Sequence, residues 1–417
     1  MPDARETIRR AVAGRLDEAA QLLCDLIAEP SVAGQEASAQ ELMAAACERI
    51  GLETSFEEVP ESLRDDPEYS HADVEPPYEG RCNVVAVRTG TGGGRSLILS
   101  SHMDVVPAEE WPEAFTPARD GDSIVGRGAV DAKGQVVTAW LALAALQDAQ
   151  IAVAGDVELQ SVIEEEPGGN GALALLRQGH KADGAIVLEG TDLHVHPANR
   201  GALWFRLKTF GKPVHMGRMH EGISALDKMT VVIEQLREYG ERLVRESRGV
   251  PQFERYERPV QLNVGTIKGG EWPSMVPGEV TIEGGVGFLP NKRMDDVKHE
   301  LREAVESVDD QWLKHNYELD FSKLHNDAYA TPADHPLPQT LARACRDLGL
   351  ESEVFGWNIS CDARLYYHVG GMPTVVFGPG SVAQAHSIGE GLNLGEMQRA
   401  AEALALCIVE WCGTAGR

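Results

Sequence analysis

Residues 96–107 read SLILSSHMDVVP. Leu97, Ile98 and Leu99 make an apolar run too short for a helix, and it breaks into polar sequence at a histidine and an aspartate. This is the pattern of a buried strand whose end carries His102 and Asp104. Moving outward, the pattern recurs three times: 157–163 runs into Glu164, Glu165 and Glu166, 185–188 into Glu189, and 374–377 into the glycine-rich stretch that reaches His386. Helical periodicities lie between and around these runs. Ile8, Val12, Leu16, Ala19, Leu22, Leu23, Leu26 and Ile27 mark an amphipathic helix over 5–28, and further helices are expected over 135–146 and 173–178. Strand and helix in alternation predict an α/β fold, a doubly wound mixed sheet.

The texture changes between 201 and 322. One helix, two strands around 261–267 and 278–288, and a second helix over 294–308 predict an α+β lid inserted into the first domain. The expected division is a discontinuous catalytic domain, 1–200 with 323–417, and a lid over 201–322. A chain of 417 residues is long enough to build two cores. The acidic, proline-containing stretch 57–80 reads as a long surface loop.

Composition excludes several classes of function. Asp plus Glu number 65 against 38 Lys plus Arg, a net charge of −27 that repels phosphate backbones and anionic membranes. Neither nucleic acid nor a membrane is an expected partner. No stretch approaches the roughly 20 apolar residues of a membrane helix, and residues 1–10 lack the apolar core of a signal peptide. Seven cysteines, an odd number without a CxxC pair, fit a reducing compartment better than a disulfide framework. The expectation is a cytoplasmic protein acting on a small-molecule substrate.

Open α/β sheets bind ligands outside the carboxyl ends of their strands. There the chain places His102, Asp104, the glutamate triplet, Glu189 and His386, with Asp131 in GRGAVDAKG (126–134) just ahead of a helix. Imidazole mixed with carboxylate suits zinc, with cobalt or manganese as alternatives, whereas an all-oxygen set would suit magnesium or calcium. Two divalent ions sharing a carboxylate, roughly 3.5–4 Å apart, polarise a carbonyl and acidify a water. Asp131 is the candidate bridge. A lone histidine at a strand end is usually structural, but five ligand-type residues at successive strand ends are not five independent accidents.

Taken together, SHMDVVP (101–107), GRGAVDAKG, EEEPGGNGA (164–172), VLEGT (187–191), GKPVHMG (211–217) and FGPGSVAQAHSIGE (377–390) resemble a known family in order and spacing. It is the zinc-dependent aminoacylase and carboxypeptidase family that includes acetylornithine deacetylase, succinyl-diaminopimelate desuccinylase and glutamate carboxypeptidase. The resemblance spans nearly the whole chain. It implies His102 and Glu189 on one zinc, Glu166 and His386 on the other, and Asp131 between them. Asp104 would orient His102, since a ligating imidazole usually gives its second N–H to a carboxylate. Three consecutive glutamates allow two registers. The family's glycine spacing, matched to Gly168, Gly169 and Gly171, makes Glu165 the general base and Glu166 the ligand. His215 in the lid matches an imidazole that stabilises the oxyanion, often in the partner subunit's site, which implies a homodimer through the lid.

The lid departs from the family pattern. It reads EGGVGFLP (283–290), so Gly285 and Gly287 stand where an Asp and a carboxylate-clamping Arg are usual. Ser274, in WPSMVP, stands where many relatives have Asn. Arg218, Arg364 and Lys268 are candidate replacements for the clamp, and Arg364, in SCDARLYY (360–367), is favoured because its segment precedes the last strand, with a structural salt bridge as its equal alternative role. Ser274 and Asn263 complete the candidate substrate-binding residues.

The expected function is hydrolysis of the amide of a small N-acyl compound, as in a deacetylase, desuccinylase or N-formyl deformylase. An aromatic-amine aminohydrolase, or a metallo-dipeptidase or carboxypeptidase, would use the same metal centre. A non-catalytic binding protein on this scaffold would be expected to have lost the base or a ligand, and all are present.

Overall fold

The computed structural model describes residues 2–414. Its central sheet has six strands in the order Glu53–Glu58, Cys82–Arg88, Val157–Val162, Leu97–His102, Ala185–Val187 and Thr374–Val376. The last four run parallel, and the first two are added antiparallel at one edge. All four strands expected from the sequence are present, each within two residues of its expected ends. The added edge strand Glu53–Glu58 is largely exposed and charged, so no apolar alternation marked it.

Side chains alternate across this sheet. Leu97, Leu99, Ile186 and Val375 join one core with the helices Pro2–Ala28, Lys133–Asp148 and Leu394–Cys412. Ile98, Val162, Val187 and Val376 join another with Asn170–Gln178 and Ala363–His368. Because both faces are covered, Leu97–Leu99, Ala185–Val187 and Val375–Val376 read as short apolar runs, whereas Val157–Val162 also carries Glu158, Gln160 and Ser161. The Lys133–Asp148 helix is buried on every side from Val136 to Leu146, since it lies between the sheet and the first and last helices. Each large side chain there contributes about 1.5–3 kcal/mol of burial.

A second, antiparallel sheet runs Leu262–Gly269, Glu279–Phe288, Gly201–Phe210 and Tyr317–Asp320. His325–Asn326 also pairs with Gly201–Phe210, so this ladder continues past residue 322. Along Gly201–Phe210, Leu203, Phe205 and Leu207 point into a core shared with the helices Ala225–Glu246 and Met294–Glu306. Ala202 and Trp204 point the other way, toward the cleft between the two sheets.

The stretch 57–80 is not the surface loop its composition predicts. Apart from the 3₁₀ turn Glu61–Asp65 it is irregular, yet Val59, Leu63, Tyr69, Ser70 and Tyr78 are buried. Its charges are paired partly within the stretch, Arg64 with Glu61 and Glu75, and partly with distant residues, Asp66 with Arg177, Glu68 with Arg364 and Asp73 with Lys323, while the apolar side chains turn inward. Among the described residues, no helix is long and apolar enough to cross a membrane.

Candidate active site

The carboxyl ends of the four parallel strands converge on one point. His102 is the last residue of its strand and 1% exposed, and its Nε2 lies 2.9 Å from Asp131 Oδ1 and 3.9 Å from Glu189 Oε1. On the other side, His386 Nε2 lies 3.1 Å from Asp131 Oδ2 and 3.2 Å from Glu166 Oε1. Asp131 thus offers one oxygen to each imidazole. Its neighbours form two triads, His102–Asp131–Glu189 and Asp131–Glu166–His386, each with its ligand atoms within 4.8 Å of one another.

The electrostatics describe a site short of positive charge. Burial pushes the Glu165 and Glu189 carboxyls well above their ordinary range, against the pull of His102. Hydrogen bonds to Asp131 and Glu166 push His386 up to about 10. Burial opposes ionisation of Asp131, yet the hydrogen bonds from His102 and His386 hold it below the usual carboxylate range. Four carboxylates, Glu189 buried and Asp131, Glu165 and Glu166 half-buried, are poorly compensated by two imidazoles alone. The donor chemistry and the split Asp131 fit two divalent cations.

The glutamate triplet divides by direction. Glu164 is turned away and fully occupied: Arg81 Nη2 lies 2.8 Å from its Oε1, while Tyr78 Oη donates to Oε2 at 2.6 Å and Asn170 Nδ2 at 3.0 Å. Glu165 and Glu166 face the cavity that Asp131, Glu189 and His386 also line. The following PGGNG turn is what brings them there. Gly169 has φ +86°, and a Cβ on it would come 2.2 Å from Asp362 Oδ1, so glycine is required at this close approach.

Asp104 braces more than the sequence implied. The nearest acceptor for His102 Nδ1 is the main-chain carbonyl of Asp104 at 2.8 Å, with the carboxylate at 3.5 Å. That carboxylate instead accepts the main-chain N–H groups of Glu165 and Glu166, both at 3.1 Å. A second brace was missed by the sequence reading. Glu390, fully buried, accepts the N–H groups of Val130 and Asp131 at 2.9 and 3.1 Å and pairs with Arg127 at 2.7 Å. The signal was available, for Glu390 ends the FGPGSVAQAHSIGE motif four residues after His386. Asp362, whose carboxyl burial pushes up to about 7, lies behind the same turn.

The metal-ligand cavity has a volume of about 370 Å³ and is walled by Trp357, Cys361, Asn326 and, from the lid side, Arg200, Ala202 and Trp204. Arg200, Ala202 and Trp204 also wall a second cavity of about 490 Å³ over the lid sheet, which Asn263, Gly285 and Gly287 line. The other lid candidates lie elsewhere. His215 is on the exposed lid surface and lines neither cavity; Ser274 sits beside it, its carbonyl accepting from Met216 N at 2.8 Å. Arg364, the favoured clamp, is corrected by the structure: it is buried behind the PGGNG turn, donating to Gly168 O at 3.0 Å and pairing with Glu68 at 3.3 Å. Arg218 is exposed and paired with Glu221. Proximity in sequence to the last strand misled here, because the Ala363–His368 helix carries Arg364 to the far side of the turn.

A model of peptidase family M20/M25/M40 matches residues 98–410, three quarters of the chain. The chain belongs to that family. This M20 chain is 29% identical over 362 residues to the N-formyl-4-amino-5-aminomethyl-2-methylpyrimidine deformylase of Bacillus subtilis, covering 80% of this chain and 84% of that protein. It is 27% identical to the acetylornithine deacetylase of Photorhabdus laumondii, with 90% and 92% covered. In fold it is similar to a crystal structure of a tripeptidase from Staphylococcus aureus, with a TM-score of 0.74 at 18% identity and 95% and 98% of the two chains covered. The M20 chain is a hydrolase of amide C–N bonds, built as a mixed α/β sheet with a lid.

Proposed function

We propose that this M20 chain hydrolyses the amide of a small N-acyl compound with two divalent ions, zinc first, and with Glu165 as the proton carrier. The observation that carries this reading is the split of Asp131, one oxygen toward His102 with Glu189 and the other toward His386 with Glu166. When bound, the ions supply Lewis acidity to the acyl carbonyl and lower the pKa of water. Glu165 takes a proton from the attacking water as its oxygen joins the acyl carbon. It returns that proton to the amide nitrogen as the C–N bond breaks, giving a carboxylic acid and an amine. Burial raises the proton affinity of the Glu165 carboxyl, and bound cations would lower it again so that it can first accept the proton. Asp104 and Glu390 position the groups around it through the main chain.

Removal of an acyl group from an amine, as the names of the deformylase and the deacetylase state for those relatives, is the subclass the reading favours. The test is a panel of N-formyl, N-acetyl and N-succinyl amines, dipeptides and aminoaromatics with zinc-reconstituted protein, chelator-treated protein alongside. Chelator-sensitive release of amine from one N-acyl class is expected. Release of ammonia from the aminoaromatics alone, or turnover unaffected by chelation, overturns the proposal.

The reading includes a homodimer through the lid, in which His215 serves the partner's site as oxyanion donor. Supporting it, Met216, Met219, Trp272 and Ile267 leave large apolar surfaces exposed on the lid that carries His215. His215→Ala is expected to lower kcat about 100-fold, and mixing it with Glu165→Gln is expected to restore activity through mixed dimers. A monomer by sedimentation, or no restoration, removes this part. A reducing, cytoplasmic setting agrees with seven unpaired cysteines.

A further inference from the structure

Arg200 ends the loop that enters the first lid strand, and the two-residue period of that strand puts it on the same face as Ala202 and Trp204. All three wall both the metal-ligand cavity and the lid cavity. The guanidinium is held there without a protein counter-charge. The side chain is half-buried, its Nε is shut off from solvent with no hydrogen-bond partner, and among the described residues the carboxylates nearby, Asp73 and Glu283, pair with Lys323 and Arg206 and not with it. The other cations near the lid cavity are spoken for: Lys323 pairs with Asp73 and Glu283, and Arg206 with Glu283. Burial alone acts on the Arg200 pKa, lowering it. A cation desolvated without compensation is costly unless something else supplies the opposite charge.

The space for that guanidinium is made by Gly287. Gly287 lies opposite Ala202 in the lid ladder, and a Cβ built on it would come 2.6 Å from Arg200 Nη1 and 3.4 Å from its Cζ. Any side chain at 287 would push the fork off its place. The absence of an arginine in the lid strand is therefore the presence of one from the neighbouring position.

We infer that Arg200, admitted by Gly287, is the carboxylate-binding group of the site, and that the substrate is an N-acyl compound carrying a carboxylate. The inference rests on the amide-hydrolase reading and narrows its substrate. A planar guanidinium fork matches a planar carboxylate with two parallel hydrogen bonds. With the acyl group at the metal ligands, the acid would lie along the wall that Arg200 shares between the two cavities. Trp204 and Trp357 flank that wall and suit a flat or apolar body between the amide and the acid.

The test uses a matched pair, 4-(acetamidomethyl)benzoate and N-benzylacetamide, titrated calorimetrically into zinc-loaded Glu165→Gln protein so that neither is consumed. With Arg200 intact the acid is expected to bind about 10–100-fold more tightly than the neutral amide, the range of a charge-assisted hydrogen-bonded pair. Arg200→Met is expected to collapse that ratio toward one while leaving Tm unchanged or raised, because an unpaired buried charge gives way to an apolar chain. A merely structural arginine would lower Tm and leave the ratio alone. Gly287→Ala meets only the mobile end of Arg200, so it should fold normally and reduce the ratio as well. An unchanged ratio in both variants, or equal binding of acid and amide by the protein with Arg200, overturns the inference. A ratio that depends on Arg200, in a protein whose parent with Glu165 hydrolyses neither compound nor any amide of the panel, upholds the anion site and overturns the hydrolase reading instead.

Discussion

The floor of the site and its lid wall are built on opposite principles. On the floor, each group that must be in place before substrate arrives is held by another buried group. Asp104 fixes the Glu165–Glu166 turn, Glu390 fixes Asp131, and Glu164 is locked by Arg81, Tyr78 and Asn170. On the wall, Arg200 is half-buried with its Nε shut off and unbonded, and Trp204 is 47% exposed. The difference separates chemistry from recognition. Reactive groups gain from a rigid frame, whereas a group awaiting a ligand must keep its hydrogen-bonding capacity free.

The largest effect that could break this contrast belongs to Glu165. Glu165→Gln should cost about 10²–10⁴ in kcat while metal content, measured by atomic emission, stays the same. Undiminished turnover would remove Glu165 from the floor's machinery altogether. Next comes Arg81, which pairs with Glu36 at 2.6 Å and with Glu164 at 2.8 Å, all three nearly inaccessible. Arg81→Met leaves two buried carboxylates without a counter-charge and should cost about 3–5 kcal/mol in denaturant unfolding. A cost near zero would mean that the floor's frame is not held by this network.

Glu390 sharpens the contrast at a smaller scale. It touches no candidate ligand side chain and reaches Asp131 only through the main chain, so Glu390→Gln should weaken metal affinity about 10–100-fold, read by competition with a chelating dye. An unaltered affinity would make Glu390 a fold residue only.

The smallest effect is a pH dependence carried by His196, which stacks on Trp357 in the wall and gives its Nδ1 to Phe355 O at 2.9 Å. Burial lowers its pKa to about 3. In the unfolded chain an imidazole titrates near 6.5. Between about pH 6.5 and 3 the unfolded state therefore binds the extra proton, and stability falls as pH falls, by at most about 1.4 kcal/mol per pH unit for this one group. Above 6.5 His196 contributes no slope. Thermal melts of His196→Gln should show a flatter acid limb than the parent, and identical limbs would place the acid sensitivity elsewhere.

Much of the fold could be read directly because both faces of the central sheet are covered. Leu97–Leu99 and Ala185–Val187, buried on two sides, are apolar runs, and a run that soon meets a histidine or glutamate marks its own carboxyl end. The same legibility failed for Glu53–Glu58, an exposed edge, and for 57–80, whose ion pairs, local and long-range, hide a buried course behind an acidic composition. The lid candidates fared unevenly. Asn263 lines the lid cavity, but Ser274 and His215 sit together away from both cavities, and Arg364 is behind the turn.

By itself the sequence determined the α/β sheet, the inserted lid, and which residue types stand at the strand ends, because hydrophobic period and local spacing are short-range properties of the chain. Only the tertiary structure decided which glutamate of the triplet turns away, what braces Asp131, and that Arg200 fills the room left by Gly287. Those are contacts between residues separated by tens to hundreds of positions, such as Arg200 with Gly287 or Asp131 with Glu390. Packing in three dimensions sets their distances, and no local pattern records them.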